Sequence, residues 1–398
     1  MRIGIDASCW LNRRGFGRYA RELVNALLRV DKRNEYVLFL DATTARDADA
    51  LPSEQQATRV IVRTDAAAAQ AAAADGSRTI RDLWRMRRAV ASWRHMLDLF
   101  YFPADYTYFP IDTPARVIVT KHDMTDRRVP ELLFPSWRSR FLWEAKIRLA
   151  MRRSDLVFTV SETSRRDIME AFDFAPEHVR VVADAVDPRF LPSTDVVEST
   201  AALARYQIEP GERFLLYVGG ISPHKNLATL VRAFERWRRS AAGQRSTVSL
   251  VIVGDYVSDV FHSSYLEIRQ LIDGAGLAPF VRLTGFVPDA DLRHLYSAAQ
   301  ALVLPSFYEG FGLPVLEAMA CGAPVIASNA GALPEVVGDA GLLFDAHSPE
   351  ALAAVLERVL MDGELRRSLT ARGFERAAQF SWDASAHAAL AAFDDVVR

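Results

Sequence analysis

The stretch SFYEGFGLPVLEAMACGAPVIAS, residues 306–328, sets two carboxylates, Glu309 and Glu317, around a Gly-Phe-Gly turn and a proline. Proline at the first position of a helix marks where the helix begins, so Phe311, Gly312 and Leu313 are expected to present backbone amides there. Amides at a helix N-terminus invite an anion, and phosphate suits them. Carboxylates repel phosphate but accept hydrogen bonds from hydroxyls. A ligand with phosphate in its middle and hydroxyl-rich rings at both ends meets both demands, with amides on a diphosphate and one carboxylate for each sugar. Taken alone, Glu317 also reads as a first-turn glutamate that complements the helix dipole.

A second constellation is YVGGISPHKNLATLVRAF, in which a strand ends in Gly219 and Gly220 and a loop carries His224, Lys225 and Asn226 into a helix. The glycines admit close backbone approach, and a lysine just before a helix N-terminus adds a point charge to its amides, which suits a phosphate or pyrophosphate. The bland alternative is a glycine turn with a solvated lysine. The spacing fits neither a Walker A loop nor a GxGxxG dinucleotide fingerprint. A third candidate is His122 in VIVTKHDMTD, just past a strand, where an imidazole can donate to or accept from a sugar hydroxyl at neutral pH. It reads equally as a histidine hydrogen-bonded within a loop. Ser161 and Ser164 in VSETSRRD read first as caps of the helix that follows, with Arg165 and Arg166 beside them.

Such residues need a frame. Apolar runs near 2–6, 36–40, 58–63, 116–120 and 155–160 alternate with amphipathic stretches such as 18–30 and 135–151, a pattern of parallel, doubly wound sheet. Periodicity lapses over 181–200, where Pro, Ser, Thr and Asp gather as in linkers. It resumes with strand-like runs at 214–219, 248–254, 280–285, 299–306, 323–328 and 341–344. Two Rossmann-like α/β domains are therefore expected: 1–198, joined by a C-terminal helix over 379–398, and 199–378. A chain of 398 residues also exceeds what one core of about 250 to 300 residues sustains. Open parallel sheets bind ligands at the carboxyl ends of their strands, and each constellation falls at such a place. The alanine tract Ala66–Ala74 reads as a surface excursion.

Composition narrows the class. Half the residues are hydrophobic, a quarter are charged and the net charge is −2, which excludes a nucleic-acid binder that works by bulk basicity. Cys9 and Cys321 make neither a disulfide framework nor a metal spacing, so a reducing compartment is the simpler reading. MRIGIDAS reads as a buried strand rather than a signal segment, and no run approaches the roughly 18 apolar residues of a membrane span. The expected location is the cytoplasm, possible attachment to the inner face of the membrane being left open.

EGFGLPVLEAMACGAPVIAS resembles the E-x7-E signature of the retaining GT-B glycosyltransferases of family 4. GGISPHKNL is similar to their phosphate-lysine loop, and LTGFVPDADLRHLYSAA, VSETSRRDI and RRGFGRYARELV resemble further stretches of the family, so the likeness spans nearly the whole chain. It implies a GT-B fold and a metal-independent transferase with no cofactor beyond a nucleotide diphosphate sugar as co-substrate. It places Glu317 on the ribose, Glu309 on the donor hexose and Lys225 on the diphosphate. Gly310, Phe311, Gly312 and Leu313 supply backbone contacts, and Gly285, Phe286 and Val287 hold the base. Gly15 and Gly17 form a loop over the donor phosphates, and His122 stands by the sugar or the acceptor. Two departures stand out. Gly220 occupies the position of a common family arginine, which leaves the second cation to His224 or a first-domain arginine. Asp184-Ala185 replaces an Asn-Gly before the linker.

The resemblance leans toward bacterial mannosyl transfer from GDP-mannose in polysaccharide or O-antigen synthesis, with a saccharide or polyprenyl-diphosphate-linked acceptor. Alternatives on the same architecture are a sucrose-phosphate synthase-like enzyme, a phosphorylase, an epimerase or a non-catalytic nucleotide-sugar-binding protein. Two basic, aromatic stretches remain. One holds Arg78, Arg81, Arg85, Arg87, Arg88 and Arg94 with Trp84 and Trp93. The other holds Arg138, Arg140, Lys146, Arg148, Arg152 and Arg153 with Trp137 and Trp143. They suit a membrane surface or a lipid-diphosphate acceptor, and equally a helix with its aromatics packed inward and its arginines solvated.

Overall fold

Continuous apolar runs four to seven residues long make strands buried on both faces, which is how parallel sheets are built. A computed structural model of the protein describes residues 1–46, 51–65, 79–134, 136–255 and 263–398. The tract Ala66–Ala74 and Arg78 lie outside the described residues. The chain divides into two units. The first comprises Met1–Met124, Phe134–Asp184 and Ser381–Arg398, and the second Ala185–Phe380 with Thr125–Leu133.

In the first unit the strands are β1 (Arg2–Asp6), β2 (Glu35–Asp41), β3 (Thr58–Val62), β4 (Leu99–Phe102), β5 (Arg116–Thr120), β6 (Leu156–Thr159) and β7 (Val179–Val181). They form one parallel sheet in the order β3-β2-β1-β4-β5-β6-β7. In the second, β8 (Phe214–Val218), β9 (Ser249–Val253), β10 (Val281–Gly285), β11 (Ala301–Leu304), β12 (Val325–Ser328) and β13 (Gly341–Phe344) run β10-β9-β8-β11-β12-β13, again all parallel. Both sheets reverse their strand order once, between β1 and β4 and between β8 and β11. At such a point the loops leaving the two central strands diverge and open a crevice beyond their carboxyl ends.

Strands β8, β9, β11 and β12 are buried along their whole length. The helix Leu227–Arg239 shows how they are covered. Leu227, Leu230, Val231 and Phe234 recur at the spacing of one helical face and are buried, while Arg236, Arg238 and Arg239 close its C-terminal turn. Each such apolar side chain contributes on the order of 1.5–3 kcal/mol by leaving water.

Strands β4 and β7 were not expected from the sequence. The C-terminal helix, Trp382–Val397, belongs to the first unit. Phe393 stacks on Phe158, with ring centroids 5.8 Å apart, and Ser385 Oγ donates to the Ala183 carbonyl at 2.7 Å. Residues 185–198, assigned to the first domain on sequence grounds, pack with the second instead. There the Ser193 amide donates to Ser297 Oγ at 3.0 Å and Phe190 meets Tyr296 edge-on. The loss of periodicity marked the linker, but not which sheet its apolar residues would join.

Candidate functional site

In the second unit the two loops at the reversal point, after β8 and after β11, carry the sequence candidates. Strand β8 ends at Val218, and Pro223–Lys225 form one tight helical turn. Asn226 then adopts left-handed backbone, φ 57°, which asparagine tolerates better than most residues. Its side-chain amide, expected to face substrate, is committed elsewhere: Nδ2 donates to the Pro305 carbonyl at 2.9 Å and to the Ala346 carbonyl at 2.8 Å. With Phe307 N donating to the His224 carbonyl at 2.9 Å, it ties the β8 loop to the β11 loop. Gly220 gives its carbonyl to the Tyr217 hydroxyl at 2.7 Å.

That tie brings together residues 84 positions apart. Lys225 Nζ donates to Glu309 Oε1 at 2.8 Å and to Oε2 at 2.9 Å. Ser306 Oγ donates to Oε1 at 2.6 Å, and the Ser306 carbonyl accepts from Ser328 Oγ, also at 2.6 Å. An ammonium has three hydrogens, of which the pair uses two. A carboxylate has about four acceptor positions, of which three are used. One donor on Lys225 and one acceptor on Glu309 therefore remain for a ligand, the first suited to phosphate oxygen and the second to a hydroxyl.

The helix Leu313–Ala320 begins next to this pair in sequence, with Gly312 as its N-cap. Gly312 has φ 98°, where a side chain is strained, and a Cβ there would lie 2.6 Å from Leu333 Cδ2. Pro314 has no N–H, and the Val315 amide bonds to the Gly312 carbonyl at 2.9 Å. The amides of Gly312 and Leu313 are those this terminus presents. Phe311 is buried, its ring edge-on to Phe380 at 5.6 Å. Glu317 lies one turn into the helix and is only 4% exposed, accepting from the Tyr296 hydroxyl at 2.8 Å. Burial, with the Glu317 charge adding to it, pushes the Cys321 thiol up to about 12. At the end of β10, Gly285 has φ 75° beside a break in register, Phe286 is exposed and Val287 is buried.

In the first unit, Gly15 and Gly17 form no loop; they open the helix Gly15–Val30. The turn precedes them at Asn12, whose Oδ1 accepts from the Arg14 amide at 2.8 Å. The Asn12 carbonyl packs where a Gly17 Cβ would stand. His122 follows β5 beside a buried ion pair, Lys121 to Asp105 at 3.1 Å. His122 Nε2 lies 2.9 Å from the Pro103 carbonyl. A carbonyl only accepts, so Nε2 carries the proton and Nδ1 is the acceptor of the neutral ring. The Tyr19 ring meets the imidazole edge-on at 4.8 Å. Burial, opposed by Asp105, the Pro103 carbonyl and Asp123, holds the His122 pKa below its ordinary value. Ser161 caps the helix Glu162–Phe172, and Arg165 donates to the carbonyls of Val179 and Pro176.

Sequence reasoning missed Ser306, Ser328, Tyr296 and Gly331. Gly331 has φ 58°, and its Cβ would lie 2.4 Å from the Glu309 carbonyl oxygen and 2.7 Å from the Glu309 nitrogen. The Glu309 carbonyl in turn accepts from the Ala332 amide at 2.9 Å. Gly331→Ala is therefore expected to displace Glu309 from Lys225, with a strain of about 1–3 kcal/mol. A melting curve should show a modest loss of stability while turnover falls much further. A variant as active as the parent would show that the position of Glu309 is unimportant.

Residues 199–376 match the family model described as glycosyl transferases group 1, and residues 13–190 that described as glycosyltransferase family 4. O-antigen chain mannosyltransferase B of Escherichia coli is 32% identical over 93% of each chain. Among solved structures, sucrose-phosphate synthase from Thermosynechococcus elongatus superposes with a TM-score of 0.75 at 22% identity, over 99% of this chain and 98% of that one. HepE of Anabaena, solved in complex with UDP-glucose, gives 0.72 at 17% identity over 98% of each. These likenesses identify the pair of Rossmann-like units as the GT-B fold.

Proposed function

Because the chain belongs to glycosyltransferase family 4, we propose that it is a retaining hexosyltransferase that moves mannose from GDP-mannose to a saccharide or lipid-linked saccharide acceptor in O-antigen-type polysaccharide synthesis. The observation that carries this reading is the Lys225–Glu309 pair, with one donor and one acceptor still open, beside a helix N-terminus at the strand-order reversal. The lean toward mannose rests on the Escherichia coli O-antigen mannosyltransferase.

In this reading the diphosphate lies on the Gly312 and Leu313 amides and takes the third hydrogen of Lys225. These fixed donors stabilise charge as the bond from anomeric carbon to phosphate oxygen breaks, the largest single contribution in most such reactions. Glu309 accepts a hexose hydroxyl, and Ser306 and Lys225 fix its orientation. Glu317 serves the ribose, and the backbone of Gly285, Phe286 and Val287 serves the base. His122 accepts from a hydroxyl at Nδ1, and the acceptor hydroxyl attacks the anomeric carbon on the face from which the diphosphate departs, its proton passing to the departing phosphate oxygen. Charge is carried by amides and lysine, so no metal or cofactor is assigned to the step.

Thermal shift with GDP, UDP, dTDP and ADP tests the donor site. A ligand at 100 times its Kd, bound only by the native state, stabilises by about 2.7 kcal/mol. GDP is expected to raise Tm most. A larger response to another nucleotide would overturn the mannose donor, and no response to any would overturn the nucleotide-sugar reading. Release of nucleoside diphosphate on adding acceptor separates a transferase from a binding protein.

A further inference from the structure

The helix Trp137–Arg153 buries one stripe, formed by Trp143, Ile147, Ala150 and Met151. At about 100° per residue these occupy one side of the helix. The opposite arc carries Trp137, Phe141, Leu142 and Leu149, which are 73, 64, 68 and 39% exposed. Between them stand Arg138, Arg148 and Arg152, with Arg153 at the edge of the arc, all exposed. The sole acid of this helix, Glu144, sits at the margin, paired with Arg140 and Arg148. The sequence left open whether the aromatics face inward. Trp143 does, whereas Trp137, Phe141 and Leu142 face water.

Large apolar side chains gathered on one exposed face call for a partner. Here that face is threaded with arginines and lacks carboxylates at its centre, so it complements anionic headgroups lying over a hydrocarbon boundary. The Arg138 guanidinium already lies over the Trp137 ring, 5.5 Å from its centroid, and its stem can cover apolar surface while its head reaches phosphate. The helix Ile80–Ser92 repeats the pattern. Ile80 is 86% and Trp84 57% exposed, and Arg88 lies 5.5 Å over the Trp84 ring. The crossovers β3 to β4 and β5 to β6 move in the same direction along the sheet, so crossovers of the usual right hand put both helices on one face of it. No described helix is long and apolar enough to cross a membrane.

We propose that this face of the first unit docks on the surface of an anionic lipid bilayer, with Trp137, Phe141 and Leu142 entering the headgroup boundary and Arg138, Arg148 and Arg152 on lipid phosphates. The proposal rests on this surface alone and stands or falls apart from the donor assignment. Its test is co-sedimentation of the full chain with vesicles of phosphatidylcholine, or of phosphatidylcholine and phosphatidylglycerol in equal parts. Wild type is expected to partition onto the anionic vesicles, less so as salt rises. Each arginine near such a surface is worth about fivefold, so R138Q/R148Q/R152Q should weaken partition by roughly two orders of magnitude. W137S/F141S/L142S should weaken it at least about tenfold by removing the buried apolar area. Both variants change exposed residues, so their melting temperatures and nucleotide responses should match wild type. Three results would overturn the proposal: no partition at low salt, equal partition onto neutral vesicles, or variants that bind as wild type does. A lipid-free dimer in sedimentation velocity that the apolar variant dissolves would also overturn it, assigning the face to a second copy of the chain.

Discussion

Glu309→Gln is expected to lower the turnover of glycosyl transfer by about 10²–10³-fold, the range found when one preorganised polar group is taken from a reaction centre. Glutamine keeps the size of the side chain but offers Lys225 one acceptor oxygen in place of the two now at 2.8 and 2.9 Å. Its amide nitrogen would also face either the ammonium or the Ser306 hydroxyl, each already a donor. Lys225→Ala should cost a similar factor by removing the cation proposed to hold the diphosphate. It should also destabilise the fold by about 1–3 kcal/mol, since the Glu309 side chain, only 12% exposed, would lose its charged partner. The double variant decides whether the two act as one unit. If they do, E309Q/K225A should be scarcely slower than either single variant, because groups that work together are strongly non-additive. Steady-state rates of nucleoside diphosphate release measure all three. Losses that multiply in the double variant would mean that the ion pair is structural and that each residue serves a separate step.

How much of this was legible beforehand varies with the range of the interactions involved. The strands of the second unit lie within two residues of their expected ends, because most are short, mainly apolar runs beside turn residues, β10 with its Arg282 and Thr284 being the least apolar of them. Strand β4, LFYF, was missed because the basic, tryptophan-bearing stretch before it runs on to Leu97 with neither glycine nor proline to mark a break. Strand β7 is only three residues long. Local chemistry was readable: Pro314 marked a helix start, and the Ser161 cap was visible. Contacts that depend on the fold were not. Nothing in SPHKNL announces that Asn226 will spend its amide on Pro305 and Ala346, or that Lys225 will meet Glu309. Nothing in SNAGAL marks Gly331 as a glycine whose Cβ would strike the Glu309 backbone. Helical periodicity likewise marked 135–151 as an amphipathic stretch, but only the packing of Trp143 and Ile147 showed which apolar residues remain outside.

His122 gives the second large effect, and its sign follows from the tautomer. With Nε2–H donating to the Pro103 carbonyl, Nδ1 accepts a hydroxyl only while the ring is neutral. Protonation turns that acceptor into a donor, so transfer should fall with acid. Burial keeps the folded-state pKa below the ordinary value of about 6.5, so wild-type activity should hold through pH 6.5 and fall only beneath it. Stability changes in the same direction for a different reason. Between the folded pKa and about 6.5 the unfolded chain binds more protons than the folded one, so unfolding becomes easier as pH drops through that window. Melting curves at each pH therefore have to accompany the rates. His122→Gln separates the two roles of the ring, since its amide N–H can still reach the Pro103 carbonyl while the Nδ1 acceptor is gone. It should be slower by roughly 100-fold near neutrality, comparable to the loss of one oriented hydrogen-bonding group, and its rate should no longer show the acid limb due to this ring. A variant that retained both the rate and the acid limb would place the titrating group elsewhere and return His122 to holding its loop.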